Sequence, residues 1–341
     1  MPSKRNILST IPNARGNTAK QQNLPPQTNQ TVFKTPEQKP PPSEIASKAS
    51  FEAPAPLRYK PFISKNTNIN PEALVYGSPQ YYLYRADSLQ KTYSRKIYYD
   101  NLQTIIDQIS ATPDDKLNPA VNTDNWYAAI DFNIRKPHFI ILHHTGQNSV
   151  EQTLFTFSFR KKLESSAHYV VSRDGAVYQM LNDYVRSYHA GAGKWGNISD
   201  MNSCSLGIEI DNNGEKDLFT SAQINALIKL LTYLKEKYSI PTGNIIGHSD
   251  FAPMRKNDPS VLFPWSRLAL AGFGYWYDIN NLKEPPPDFN PLLALRVIGY
   301  DISVPEYAII GFKRHFIQNN ESKTLSDYEK KIIYNIMLKY E

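Results

Sequence analysis

The segment from Gly247 to Pro259 is crowded with side chains that can do chemistry. It holds one imidazole (His248), two carboxylates (Asp250, Asp258), two cations (Arg255, Lys256) and two prolines (Pro253, Pro259). Proline fixes φ and biases the residue before it to extended backbone, so the segment reads as a stiff loop rather than a helix or strand. Six of the seven histidines fall between positions 138 and 248. A catalytic metal site takes three protein ligands and leaves one position for water. Cys204 is the single cysteine, so any such site must be built from histidine and carboxylate. The candidates are His143, His144, His168, His189, His248, Asp250 and Asp258. His248 and Asp258 stand ten residues apart on the stiff loop and can face one ion together. The third ligand must come from elsewhere, and a histidine at a strand end is well placed. Residue type and spacing leave His143 or His144, and Asp250 or Asp258, as open alternatives. No helical His-Glu-x-x-His pattern is present, which sets aside that kind of metalloprotease.

These residues need elements to position them. The apolar run Phe139-Ile140-Ile141-Leu142 suits a fully buried strand and ends in His143-His144-Thr145-Gly146. Ser149 to Gln152 is a capping-box pattern that starts a helix to about Leu163. Residues 168–173 and 176–181 around Asp174-Gly175 read as a hairpin with a type I′ turn. Residues 187–202 form a glycine-rich loop with His189, Trp195 and Asn202. Residues 205–211 read as a strand, in which Glu209 points opposite to Ile208 and Ile210. If the isoleucines face the core, Glu209 faces a cleft. Thr220 and Gln223 cap a helix with Ile224, Leu227, Ile228, Leu231 and Leu234 on one face. A short strand at 244–247 feeds the loop, and a short helix covers 264–271. The expected fold class is α/β: a mixed central β-sheet flanked by helices, followed by a small three-helix C-terminal domain and preceded by a disordered N-terminal tail.

The domain plan follows composition. Residues 1–58 are rich in Pro, Asn, Gln, Ser and Lys and read as a disordered basic tail. Residues 1–60 hold nine Lys/Arg against three Asp/Glu, which accounts for the whole formal charge of +6. The remainder is neutral, so the basicity does not point to nucleic acid. Residues 59–136 form a tyrosine-rich extension with a helix expected over 99–109 and a loop over 118–133. Residues 137–283 form the chemical domain, 284–289 a proline-rich linker, and 290–341 a helical domain with helices at 291–298, 305–318 and 324–340. No apolar run is long enough to span a membrane, and no signal-peptide pattern opens the chain. The cytoplasm is the default location; periplasmic or secreted placement, by a non-standard route or with a trimmed signal, is the alternative. A monomer is the default oligomeric state.

The stretch from Phe139 to Gly272 resembles the zinc-dependent N-acetylmuramoyl-L-alanine amidase family, which also includes phage lysozyme-type amidases and animal peptidoglycan recognition proteins. The blocks that carry the resemblance stand in family order: Ile-Leu-His143-His144-Thr, Ser166-Ala-His168-Tyr, Arg173-Asp-Gly, His189-Ala-Gly, Asn202-Ser with Ser205-Leu-Gly-Ile-Glu209, Gly247-His248-Ser-Asp250, and Arg255-Lys256-Asn-Asp258-Pro259. Leu262-Phe-Pro-Trp265 extends the match.

The resemblance implies one Zn2+ held by His143, His248 and Asp258, with Glu209 and Lys256 as catalytic helpers. It implies hydrolysis of the amide between N-acetylmuramic acid and L-alanine in peptidoglycan or muropeptides, for wall recycling or remodelling. His144, His168 and His189 are then candidates for substrate contact or for outer contacts to the ligands, and Trp195 and Asn202 for substrate contact in the groove or for packing within their loop, while Asp250 is read as bracing the loop and His315 as structural. Residues 290–341 resemble the three-helix peptidoglycan-binding domain often appended to such amidases, on Leu292 to Tyr300 and Tyr307 to Phe316. The competing readings are a recognition protein that binds peptidoglycan without cleaving it, and a secreted effector with the same fold.

Overall fold

The computed structural model describes residues 70–110, 133–159, 165–318 and 321–340. The basic tail (1–58), most of the expected loop 118–133, and the last turn of the helix drawn to Leu163 lie outside the described residues.

Five strands form one sheet in the order β3-β2-β4-β1-β5. They are β1 (Phe139–His144), β2 (Tyr169–Val171), β3 (Val177–Gln179), β4 (Ser205–Ile210) and β5 (Ile245–Gly247). β1 runs parallel to β4 and β5, and β2 parallel to β4; only β3 is antiparallel. This is the expected mixed α/β sheet. The register places His143 beside Glu209, Ile141 beside Gly207, and Phe139 beside Ser205.

Side chains alternate across a strand, so the two faces of β1 and β4 differ. Ile140, Leu142, Leu206, Ile208 and Ile210 share one core with α4 (Ser221–Tyr238). Thr220 caps α4, its side chain accepting from Gln223 N–H, which is worth about 1 kcal/mol. Ile224, Leu227, Leu231 and Leu234 are fully buried, each contributing roughly 1.5–3 kcal/mol. The opposite face carries Phe139 and Ile141, then His143, and on β4 Ser205, Gly207 and Glu209. On that second face Phe139 and Ile141 share a core with the C-terminal helices α7 (Pro291–Ile298), α8 (Pro305–Phe312) and α9 (Asp327–Met337), while His189 covers Gly207 and Ser205.

Residues 290–341, expected as a domain behind a proline-rich linker, therefore share one core with the sheet. Phe139, Ile141, Ile246 and Phe251 sit in the same cluster as Leu295, Tyr300, Phe312 and Ile332. α8 continues through a wider π-type stretch, Lys313–Ile317, whose Lys313 is buried and pairs with Glu329 at 2.8 Å.

Three local expectations change. The loop after β5 opens with one helical turn, α5 (His248–Phe251), because the Asp250 carboxylate accepts from Gly247 N–H at 2.7 Å and closes it. The β2–β3 hairpin does not use a type I′ turn. Gly175 N–H donates to Ser172 O, and Gly175 alone takes positive φ (+90°), so the turn is type I with the glycine as a bulge. The tyrosine-rich extension forms α1 (Pro79–Leu89) and α2 (Arg95–Ser110), with α1 packed on α3 (Val150–Phe159). The helix expected over 99–109 is present within α2, but Ile105, Ile106 and Ile109 are exposed among the described residues. α6 (Trp265–Leu270) is the short helix expected after the loop. Among the described residues no helix is long and apolar enough to cross a membrane.

Candidate metal centre

In parallel sheets, ligands gather outside the carboxyl ends of the strands. His143 lies at the end of β1, Glu209 near the end of β4, and His248 directly after β5. The loop then returns Asp258 to the same point. His143 Nδ1 and His248 Nδ1 lie 2.9 and 3.0 Å from Asp258 Oδ2. All three residues are buried, and their ligand atoms fall within 4.8 Å of one another. They are the one such group of three among the described residues.

The nitrogens turned away from this point are engaged elsewhere. His143 Nε2 is 3.0 Å from His189 Nδ1, and His189 Nε2 is 3.2 Å from Ser205 Oγ. His248 Nε2 donates to Ala190 O at 2.8 Å. Arg255 also donates to Ala190 O, at 2.7 Å, and to Ala192 O, tying the glycine-rich loop to the metal loop. Such outer contacts fix ring orientation and tautomer.

The electrostatics suit ligation. Burial holds the His248 imidazolium down to about 4, despite its hydrogen bond to Asp258. Burial raises the Asp258 carboxyl, but hydrogen bonds from His143 and His248 outweigh it and leave the group well below the usual range. A low-titrating imidazole at His248 and an ionised carboxylate at Asp258 are the protonation states a metal ion takes.

Glu209 stands across from His143 in register, its residue only partly buried. Its Oε2 is out of contact with solvent and has no hydrogen-bond partner. Burial pushes its carboxyl up to about 7; His143 and Lys256 pull it down and Asp258 pushes it up. Lys256 is close enough to act electrostatically on Glu209, His144 and His248.

The candidates for substrate contact fare differently. His144 projects to the face opposite His143, where its Nδ1 accepts from Ser260 N–H at 3.1 Å. His168, His189 and Trp195 are buried and Asn202 half-buried, each with internal partners. His168 is 1% exposed; its Nδ1 accepts from Gly207 N–H and its Nε2 donates to Val185 O, both at 3.0 Å. His189 fills the space over Gly207, where any Cβ would overlap its ring. Trp195 lies against Gly299 and, at 4.9 Å between centroids, Tyr300. Asn202 Oδ1 accepts the backbone N–H of His189 and Ala190.

Sequence reasoning gave Tyr300 and Arg314 no role of their own and took His315 as structural; all three reach the loop 247–259 from 50 or more residues away. No local pattern marks them.

A sequence model described as N-acetylmuramoyl-L-alanine amidase matches residues 133–261. The N-acetylmuramoyl-L-alanine amidase AmiD of Escherichia coli K12 is 30% identical over 208 residues, covering 52% of this chain and 74% of AmiD. The 1,6-anhydro-N-acetylmuramyl-L-alanine amidase AmpD of Haemophilus influenzae is 34% identical over 107 residues, 31% of this chain and 58% of AmpD. Among solved structures, E. coli AmiD bound to anhydro-N-acetylmuramic acid-L-Ala-D-γ-Glu-L-Lys superposes with a TM-score of 0.54 at 25% identity, over 64% of this chain and 95% of that one. Pseudomonas aeruginosa AmpDh3 with anhydromuramic pentapeptide gives 0.55 at 25% identity, over 64% and 98%.

Fold, sheet order and relatives together define a class, the hydrolases of amide bonds. More narrowly, the chain belongs to the N-acetylmuramoyl-L-alanine amidase family, enzymes that hydrolyse the bond between N-acetylmuramic acid and L-alanine.

Proposed function

We propose that this chain is a zinc-dependent amidase acting on muropeptides, with His143, His248 and Asp258 as the metal ligands. One observation carries the reading: two imidazole Nδ1 atoms converge on Asp258 Oδ2 at 2.9 and 3.0 Å, with their other nitrogens committed to protein partners. Two neutral nitrogens and one carboxylate oxygen form a donor set that suits a three-ligand zinc site with one open position. When bound there, zinc supplies Lewis acidity and lowers the pKa of a water to about 7.

The chain's own residues account for the rest. An amide is a poor electrophile and its amine a poor leaving group, so a proton must move from water to nitrogen. The Glu209 carboxylate can accept the proton of the attacking water and deliver it to the departing L-alanine nitrogen. Its burial matters because a carboxyl titrating near neutrality is both a competent base and, once protonated, a competent acid. The Lys256 ammonium stabilises the charge that develops on the carbonyl oxygen, worth about 3–4 kcal/mol in comparable sites. His143 would hold the metal through Nδ1, which leaves its proton on Nε2 to donate to His189 Nδ1. His189 in turn donates from Nε2 to Ser205 Oγ, whose hydroxyl donates to Met201 O. This chain fixes the tautomer of the first ligand.

The relatives support this substrate class: AmiD and AmpDh3 were each captured with an anhydromuramyl peptide. Mass spectrometry of a defined anhydro-muropeptide, incubated with and without a chelator, tests the reading. Release of anhydro-muramic acid and free peptide, abolished by the chelator and restored by zinc, is expected. An intact lactyl–alanine bond with zinc-loaded protein overturns it.

A further inference from the structure

The loop that carries two of the three proposed ligands has two sides. One faces the strand ends and the ligand cluster; the other rests on the C-terminal helices. Asp250 is 1% exposed, and its carboxylate accepts three donors. Gly247 N–H and His315 Nδ1 reach Oδ2 at 2.7 and 2.8 Å, and the Tyr300 hydroxyl reaches Oδ1 at 2.8 Å. Two of those donors come from beyond Gly299. The His315 ring lies nearly flat against Trp265 at 3.8 Å and Phe316 at 4.1 Å, which fixes its plane.

Further along the loop, Arg314 Nη1 donates to Pro253 O at 3.0 Å and to Lys256 O at 2.7 Å. Glu321 holds the same guanidinium from the far side at 3.0 and 3.2 Å. α8 approaches closely: a Cβ on Gly311 would sit 3.1 Å from Ser249 O and 3.2 Å from Pro253 Cβ. The loop is thus held at residues 249, 250, 253 and 256, between and beside His248, Lys256 and Asp258.

We propose that the C-terminal helices are a positioning element of the metal loop. Arg314 sets where Lys256 stands, and Tyr300 with His315 sets, through Asp250, where His248 stands. The inference deepens the zinc amidase reading and rests on it. A domain that served only as a tether would raise the local concentration of polymer. It would leave hydrolysis of a small soluble fragment untouched. A brace acts on the chemical step itself, where a displacement of about 1 Å costs on the order of 10²-fold.

Three variants of the full chain, Arg314→Gln, Arg314→Lys and Tyr300→Phe, separate the two. Each is assayed on a soluble anhydro-muropeptide and on sacculi, well below its melting temperature, and zinc release is followed with a chromogenic chelator. Arg314→Gln lowers kcat on the soluble fragment about 10-fold or more, with KM and zinc content unchanged. Arg314→Lys recovers part of that loss, because an ammonium can still reach one carbonyl. Tyr300→Phe releases zinc about 10-fold faster, the usual scale for loss of an outer contact. Full kcat of Arg314→Gln on the fragment, with a defect confined to sacculi, overturns the brace in favour of a tether. Zinc release from Tyr300→Phe at the wild-type rate also overturns it. If the wild-type protein cleaves nothing, the amidase reading falls, and the zinc-release rates still decide the brace.

Discussion

Asp258 and Asp250 lie eight residues apart on one loop, both buried, both within 3.0 Å of histidine nitrogen. Asp258 looks toward the strand ends, where two imidazoles converge on a single oxygen. Asp250 looks toward the C-terminal helices, where an amide, an imidazole and a phenol satisfy both of its oxygens. A carboxylate with its lone pairs spent on fixed donors is a structural joint. A carboxylate whose neighbours are themselves ligand atoms, with further lone pairs to offer, is a place for a cation. The difference lies in the partners, which the local sequence does not contain.

Exchanging the two aspartates' fates is the strongest way to break this contrast. Asp258→Ala or His143→Ala should remove zinc and lower kcat/KM by on the order of 10³-fold or more, since several kcal/mol of metal assistance is lost. Elemental analysis and muropeptide mass spectrometry read both effects. Asp250→Ala should keep the three ligands and the zinc stoichiometry but release zinc faster, as Tyr300→Phe does, and destabilise the fold, because the buried Tyr300 hydroxyl loses its acceptor. The expected cost is about 1–3 kcal/mol in chemical denaturation.

Glu209→Gln sharpens the contrast from a third carboxylate. It should lower kcat by about 10²–10⁴-fold while zinc stays bound. It also carries a pH signature in the metal-free protein. The folded-state carboxyl titrates at about 7 against an ordinary value of 4.5, so between those values the native state holds the extra proton. Stability therefore falls as pH rises through that window. Replacing the carboxylate by an amide should raise the melting temperature above pH 7 and change it little below pH 4.5. The smallest effect is expected far from the loop. Gly175→Ala, at φ +90° with a new Cβ 3.0 Å from Ala222 O, should cost roughly 1–2 kcal/mol in stability and leave kcat unchanged.

Much of the sheet was legible because its pattern is local. The Ile208-Glu209-Ile210 alternation puts Glu209 opposite the α4 core, and the Thr220 cap and the Leu spacing of α4 stand where expected. The choice between His143 and His144 was not legible from the residues, for a physical reason. All of Phe139 to Leu142 is apolar, so a strand buried on both faces does not say which face holds the chemistry. Family resemblance supplied that choice. The hairpin turn was misread because Asp-Gly suits two turn types, and the pairing of Ser172 with Ala176 selects the one with a bulge. For Trp195 the residues leave two readings open, groove lining or packing within its loop. Its burial against Gly299 and Tyr300 depends on a contact across roughly a hundred residues. The holds of Arg314 and His315 on the loop are long-range in the same way.

The shared core of sheet and C-terminal helices bears on how such enzymes can be recombined. A segment strung on a flexible spacer can be traded for another by splicing at the spacer. Here the splice at 284–289 would divide the core that Phe139, Ile141 and Phe251 share with the C-terminal helices and leave Asp250 without two of its three donors. A chimaera that grafts a foreign wall-binding segment onto this chain must transplant Tyr300, Gly311, Arg314 and His315 with it. Among the described residues the packed unit runs on from the sheet into the last helix, and the seam visible in the composition is not a boundary in that packing.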